Sequence, residues 1–384
     1  MKKLINTIFD YAREIPEPQY SVIYNTESKQ TNFIPLYFKE TKKTIKEIRA
    51  FLSIIFETIK NGGVIINDAL SHMLVLKKYG YELSTKFEIF ESRLSRENSN
   101  FDSENQLRKD LVRGLIEMPK RIDDWMSVKA KSAVVYTELA SRGIMWGPHH
   151  EYPIYDMMTL TGRSRTRGFN IQGATAEDPI HHIDEDRKLF LCFDWVSADM
   201  RVAGFMSNDD FINNSFSNSD PYTELEKLLG CNDITRDDCK LEMLKSIYSV
   251  NFGGPLLDVM PKLKTWMAEK KAEYDSGKLL RTILGMAIPR EDLKSSFNGM
   301  IQGSIAEAIQ NVLIKISEKI GNECILTEIH DSLVVCCSDG GLTKTISDIV
   351  PIMLRPFDSV NLSLPVKVSV GRKWKRWKEY KVFR

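Results

Sequence analysis

The stretch Leu189–Phe205, "LFLCFDWVSADMRVAGF", decides how the rest of the chain is read. Apolar residues run up to Asp194 and read as a strand, and "ADMRVAGFM" after it reads as a helix. A carboxylate at the end of an apolar strand is costly to bury unless something compensates it. "IHDSLVV" (Ile329–Val335) poses the same problem. "CILTEIHDSLVVCC" reads as two strands joined near Ile329, with Asp331 at the junction. Two carboxylates on neighbouring strands can jointly bind two hard cations such as Mg2+. Such a pair clamps the attacking and leaving oxygens of a phosphoryl transfer. Taken alone, each residue reads first as a capping or salt-bridged Asp.

The bulk properties set wide bounds. At 384 residues and 42% hydrophobic, the chain has material for one large or two to three ordinary domains. No apolar run is long enough to span a membrane. The N-terminal apolar stretch is soon followed by Asp10, Glu14 and Glu17 and lacks a small-residue cleavage site, so it does not read as a signal peptide. The six cysteines form no C-x-x-C pair. They read as reduced thiols of a cytoplasmic-type compartment. Net charge is +1, but its distribution is uneven. "GRSRTRG" holds Arg163, Arg165 and Arg167, and the tail "GRKWKRWKEYKVFR" interleaves seven cations with aromatics. Such segments suit phosphate backbones. The tail reads equally as a solvated face.

Along the chain, Ile45, Ile48, Phe51, Leu52, Ile55 and Ile59 give Thr41–Lys60 a helical period. "NGGVIIND" then predicts a turn and short strand, and "ALSHMLVLKKYG" a helix ending at Gly80. Residues 1–95 thus read as a small α/β unit, with Ser95–Gln106 as linker. Leu107–Arg142 is helical in pattern. "SNDDFINNSFSNSDP" reads as a break, Thr235–Tyr248 and Phe297–Ile320 as helices, and "LPVKVSVG" as a late strand.

Further constellations have two readings each. Thr235 and Asp238 form a capping-box-like start. Arg236, Lys240, Leu244 and Tyr248 then recur every four residues along one helix stripe. Two cations and an aromatic could hold a triphosphate and stack a base. The same helix is also an ordinary amphipathic one with Leu241, Leu244 and Ile247 as core. "TGRSRTRGFNIQGA" offers donors at Arg163, Asn170 and Gln172, or is a solvated loop. Asn298 and Gln302 share a face at the start of a long helix, or form only its polar entrance. "HHIDED" (His181–Asp186) reads as an exposed turn, its ligands too close together to surround one ion.

The order of these elements resembles the family-A, DNA polymerase I type, DNA polymerases. "FDWVSADMRVAGFMSND" is similar to motif A, "DYSQIELR" with its downstream "SGD". This places the metal-binding Asp on Asp194, the sugar-packing carboxylate on Asp199 and the motif's Arg on Arg201. "RDDCKLEMLKSIY" resembles motif B, R-x3-K-x3-F-x3-Y-G, with Arg236, Lys240 and Tyr248 in register. Leu244 replaces its aromatic and Ser249 its glycine. "EIHDSLVV" resembles motif C, with His330 and Asp331 matching and Ser332 in place of Glu. "TGRSRTRGFNIQ", "NGMIQGSIAE" and "VSVGRKW" resemble "TGRLSSxxPNLQ", "NxPIQGxAAD" and the closing "VxVGxxW". The resemblance runs from about Pro148 to Trp374.

The resemblance implies an α+β right-hand fold. The reading assigns residues 1–95 to a truncated, inactive exonuclease-like α/β domain and 96–146 to a reduced helical thumb. Residues 147–205 form the first part of an antiparallel palm and 206–290 the helical fingers. Residues 291–384 complete the palm and carry the basic tail. It further implies template-directed addition of dNTPs to a primer on primer-template DNA. Two Mg2+ ions, or Mn2+ in their place, are held by Asp194, Asp331 and the Trp195 carbonyl. Arg236 and Lys240 take the triphosphate, Lys240 also as a catalytic group, Tyr248 the nascent pair and Asp199 the sugar. Arg163, Asn170, Gln172, Arg201, Asn298, Gln302 and His330 contact DNA. A small thumb implies low processivity or a processivity or replisome partner, and the brevity suggests a phage or mobile element in a bacterial cytoplasm.

Some departures matter. In the N-terminal unit, Asn67 matches the exonuclease pattern, Ser71 stands in place of its metal-binding Asp, and "YNTES" weakly matches its "DxE". Ser332 keeps a single-subunit phage-type RNA polymerase as an alternative. A catalytically degenerate nucleic-acid-binding replisome subunit is the third reading.

Overall fold

The computed structural model describes residues 3–10, 17–25, 31–35, 45–61, 64–67, 69–78, 80–87, 89–92, 124–157, 159, 161–218, 221–229, 235–248 and 255–384. The first strands and helices are β1 (Lys3–Asp10), β2 (Glu17–Asn25), β3 (Thr31–Pro35), α1 (Ile45–Lys60), β4 (Val64–Asn67), α2 (Ala69–Lys78) and β5 (Ile89–Ser92). Next come α3 (Asp124–Arg142), β6 (Ile144–Trp146), β7 (His149–Glu151), β8 (Pro153–Asp156), β9 (Arg165–Gly168), β10 (Ile180–His181) and β11 (Leu189–Trp195). A helical stretch follows: α4 (Ala198–Ser207), α5 (Asp210–Asn218), α6 (Pro221–Leu229), α7 (Arg236–Tyr248), α8 (Pro255–Asp258) and α9 (Pro261–Asp275). The chain closes with α10 (Leu293–Ile320), β12 (Ile325–Ile329), β13 (Ser332–Cys337), α11 (Leu342–Leu354), β14 (Val366–Gly371) and β15 (Lys378–Phe383).

The N-terminal unit is α/β, as its alternating pattern predicts. Its sheet runs β3-β2-β1-β4-β5. The first three strands pair antiparallel, and β4 runs parallel to both β1 and β5. The strands β1 to β3 are not anticipated from the sequence. Their arrangement bears on the exonuclease-like pattern. Asn25 pairs with Lys3, at the start of β1, whereas Asn67 follows Ile66, which pairs with Ile5. The two Asn residues therefore lie on strands that are not neighbours, at different levels of the sheet. α1 buries Leu52, Ile55 and Ile59, and after α2 the chain turns at Gly80 with φ +88.

Of the expected helical stretch Leu107–Arg142, the part from Asp124 is described. α3 is buried along most of its length and packs against α2 and β5 on one side and α10 on the other. It therefore ties the N-terminal unit to the rest of the protein. Lys77 and Glu138 pair across the α2–α3 contact at 2.7 Å.

The main sheet is antiparallel in the order β12-β13-β11-β14-β15. β11 lies at its centre, and its two faces separate cleanly. Leu189, Leu191, Phe193 and Trp195 join the large core under α10 and α11. Phe190 and Cys192 join a second cluster with Ile144, Ile171, Ile180 and Trp374. By the two-residue period of a strand, Asp194 shares the face of Phe190 and Cys192. The expected antiparallel sheet is thus present, with Asp194 on the side away from the main core.

The segment "SNDDFINNSFSNSDP" is not a break: Asp210–Asn218 is α5. Fully buried Asp209 explains it. Its carboxylate accepts from Ile212 N at 3.2 Å, capping α5, and from the Lys262 and Leu263 amides at 3.1 and 3.0 Å, capping α9. In α7 the expected box forms: Thr235 and Asp238 exchange backbone-to-side-chain bonds at 3.0 and 3.2 Å. Its buried face is Cys239, Met243 and Ile247, while Leu241 is exposed. The described cysteines are all free and buried. Among the described residues no helix is long and apolar enough to cross a membrane.

Candidate active site

The site is assembled on the open face of the main sheet. Register places Asp194 opposite Ser332 on β13 and opposite Lys367 on β14. Ile329 pairs with Ser332, so His330 and Asp331 are the two residues of the β12–β13 turn. His330 takes φ 60, the left-handed region that a side chain rarely adopts. Ser332 closes this turn, its hydroxyl donating to Ile329 O at 3.0 Å. The turn therefore places Asp331 immediately before Ser332, the cross-strand partner of Asp194.

The acids of the site act on one another electrostatically. Burial pushes the Asp331 carboxyl up to about 6, and the negative charges of Asp194 and Asp199 add to it, against the pull of Arg163. Lys367 Nζ lies 3.0 Å from Asp194 Oδ2. His330 is held below its ordinary value by partial burial, Arg163 and Lys375. Among the described residues no group of three His, Cys, Asp or Glu side chains is disposed to cage a metal. Two hard carboxylates brought together in this way suit a hard divalent cation, which could complete its shell with waters and substrate phosphates.

Asp199 lies in the first turn of α4, and the Tyr248 hydroxyl from α7 donates to its Oδ1. Burial, followed by the Asp199 charge, drives the phenol strongly upward. The expected sugar and base residues are thus joined by one hydrogen bond, Tyr248 to Asp199. Arg236 and Lys240 do not reach it. Both are exposed; Arg236 lies 5.4 Å from the Tyr222 ring centroid and pairs with Asp237 at 2.9 Å. At a helical rise of ~1.5 Å per residue they stand roughly 18 and 12 Å up α7 from Tyr248.

Arg163 is central to the other side of the site. Its charge is felt by Asp331, His330, Tyr248 and Glu328. Its Nε and the Oδ1 of Asn298 are buried without a hydrogen-bond partner. Orphaned polar atoms of this kind are what a bound ligand would satisfy. The loop beneath is held from behind: buried Lys129 donates to Met157 O and Gly162 O at 3.0 and 2.9 Å, and Gln310 to Gly162 O at 2.9 Å.

Other expected contacts point inward. Asn170 Oδ1 accepts from Thr166 Oγ1 and Gly173 N at 2.9 and 3.1 Å, bracing its own loop. Gln172 is buried, accepting from Thr166 N and donating to Ser164 Oγ and Glu328 Oε1 at 2.9 and 3.0 Å. Arg201 donates to Val196 O at 2.8 Å, which clips the β11–α4 turn, and burial brings its guanidinium down to about 10. The Trp195 indole donates to Met353 O at 2.9 Å and anchors the end of β11. His181 ends β10, and the residues after it, to Asp186, form a turn. The Asp184 amide donates to the ring of buried His182, whose pKa falls to about 4, chiefly through burial.

Sequence reasoning missed two residues. Lys367 is a lone cation among the valines of "VKVSV", and that alternation is the signal that could have found it. Glu328 sits in "LTEIHD" and is wholly buried among Ser164, Gln172 and Tyr136. Burial pushes its carboxyl up to about 7, offset by those donors and by Arg163.

No protein-family model matches this sequence, and no curated protein matches it. Among solved structures, the POL domain of Pol1 from M. smegmatis, in complex with DNA primer-template and dNTP, is similar over 97% of this chain and 96% of that chain. The TM-score is 0.59 and the sequence identity 13%. The chain thus has the fold of a DNA polymerase domain.

Proposed function

We propose that this protein is a template-directed DNA polymerase that adds dNTPs to a primer 3′ end. The observation that carries the reading is the approach of Asp331, in the β12–β13 turn, to Asp194 at the end of the neighbouring strand β11, with the Asp199–Tyr248 pair beside it. Asp194, Asp331 and the Trp195 carbonyl would hold divalent cations. Bound there, such ions lower the barrier to attack by the primer hydroxyl and neutralise charge on the departing pyrophosphate. Asp199, fixed by Tyr248, would crowd and repel a ribose 2′-hydroxyl. Arg236 and Lys240 would meet the triphosphate as charge-assisted donors once α7 carries them toward the palm. Arg163 and Asn298, whose buried polar atoms lack partners, would contact the primer-template duplex, with Gln302 beside them. Such contacts position a duplex without reading its sequence. Asn170, Gln172 and Arg201 serve the site by holding its loops. The basic C-terminal segment around β15 supplies further charge for the phosphate backbone.

The N-terminal unit fits an exonuclease-like domain that has lost its activity, since Ser71 replaces an acidic ligand. The Ser332 hydroxyl closes the turn, a role open to either polymerase type, so the preference for DNA synthesis rests on Asp199. Primer extension with Mg2+, offering dNTPs or rNTPs, tests the whole reading. Growth with dNTPs that is lost in Asp331→Ala is expected. Extension with rNTPs alone, or none with either, would overturn it.

A further inference from the structure

Asp194 is flanked by residues of unequal character. Ser332 on one side is neutral and turned back on its own hairpin. Lys367 on the other side is a cation in direct contact, 3.0 Å from the carboxylate. The position of this lysine is enforced rather than incidental. Val366 and Val368 on either side of it are buried in the main core. The two-residue period of β14 therefore leaves Lys367 on the open face, in the row of Asp194. Val382 of β15 completes that row and brings no competing charge. Among the described residues, Lys367 is the ion-pair partner of Asp194. Both side chains are about one third exposed, at 39% and 32%, so the pair can open without unpacking the core.

Building on the metal-binding role proposed for Asp194, we infer that Lys367 is the resident counter-cation of this site. In the metal-free protein its ammonium holds the Asp194 carboxylate and neutralises it. A divalent cation must compete with the ammonium for that carboxylate, or share it against the ammonium's charge, so Lys367 sets the metal affinity of the site. Loading is then weak until substrate phosphates arrive, which add ligands for the cation and give the released ammonium a new anionic partner. Lys367 is in this sense a positioning residue that acts through Asp194.

The test is Mn2+ binding to the full-length, substrate-free protein, read from the free-ion signal in electron paramagnetic resonance. Lys367→Met should bind Mn2+ more tightly by on the order of tenfold, since one positive charge beside the ion is removed. Lys367→Arg should keep the wild-type affinity. Lys367→Gln is a second neutral variant, used if the Met protein has a lowered Tm. Unchanged or weaker Mn2+ binding in a folded neutral variant overturns the inference. Asp194→Asn separates this from the wider reading. If Asp194→Asn removes Mn2+ binding but neutral Lys367 variants do not alter it, the counter-cation role alone falls. If Asp194→Asn leaves Mn2+ binding unchanged, or if neither wild type nor the neutral variants bind the ion, the metal site falls with it.

Discussion

Replacing Glu328 by Gln removes a buried ionisable group while keeping its shape, and the consequence can be worked out. The Glu328 carboxyl is displaced from 4.5 to about 7, with burial as the leading cause. At ~1.4 kcal/mol per decade of proton affinity, this is about 3 kcal/mol. The sign follows from proton binding: between these two values the folded chain holds a proton that the unfolded chain has released. Glu328 therefore contributes stability that is fully present below pH 4.5 and is lost as pH rises through 7. Gln offers an oxygen to the same donors, Ser164 and Gln172, and its amide can turn to the Tyr136 hydroxyl. Urea unfolding at pH 5 and pH 8 measures the difference. Wild type should lose about 3 kcal/mol more than Glu328→Gln between the two, and the variant should be the more stable at pH 8. Equal losses in the two proteins would refute the argument, for they would mean that Glu328 is either solvated or already ionised below pH 5.

Asp199→Ala should raise ribonucleotide incorporation in a competition between dNTPs and rNTPs. Tyr248→Phe keeps the ring but leaves Asp199 without that donor, and its loss of dNTP kcat/KM should be about tenfold. Gly303→Ala would set a Cβ 2.8 Å from Thr282 Cγ2 and 3.1 Å from Thr161 O, so the helix α10 and the Thr161–Arg163 loop must separate. The cost should be about 1–3 kcal/mol, seen as a lowered Tm. The Asp331 carboxyl, held near pH 6 by burial and the neighbouring acids, should move down on adding Mg2+. Carboxyl-carbon NMR titration would show that shift, and an unmoved titration would place the ion elsewhere.

What could be read from the sequence was what a single segment states about itself. An apolar run ending in an acid, as at Asp194, or interrupted by one, as at Asp331, announces both a strand and its cost. Thr235 and Asp238 announce a helix start, and the box forms as spaced. What could not be read was what register decides. Lys367 gains meaning only when β14 is laid beside β11 in the one alignment that places it opposite Asp194. A slip of one residue would send it into the core. Glu328 looks like a strand residue until Ser164 and Gln172, some 160 residues earlier in the chain, close over it. Asp209 failed for a related reason. A cluster of Asn, Ser and Asp predicts a turn locally, but a carboxylate that caps two helices at once turns the same composition into a helix start. The strands β1 to β3 show the weakest local signal, because their pairing partners lie in the same unit but their apolar and polar residues do not alternate regularly. The site is thus legible as a set of acids and cations in order along the chain. Its working balance, with Asp194 held between a neutral Ser332 and a cationic Lys367, is a property of cross-strand neighbours and exists only in the folded sheet.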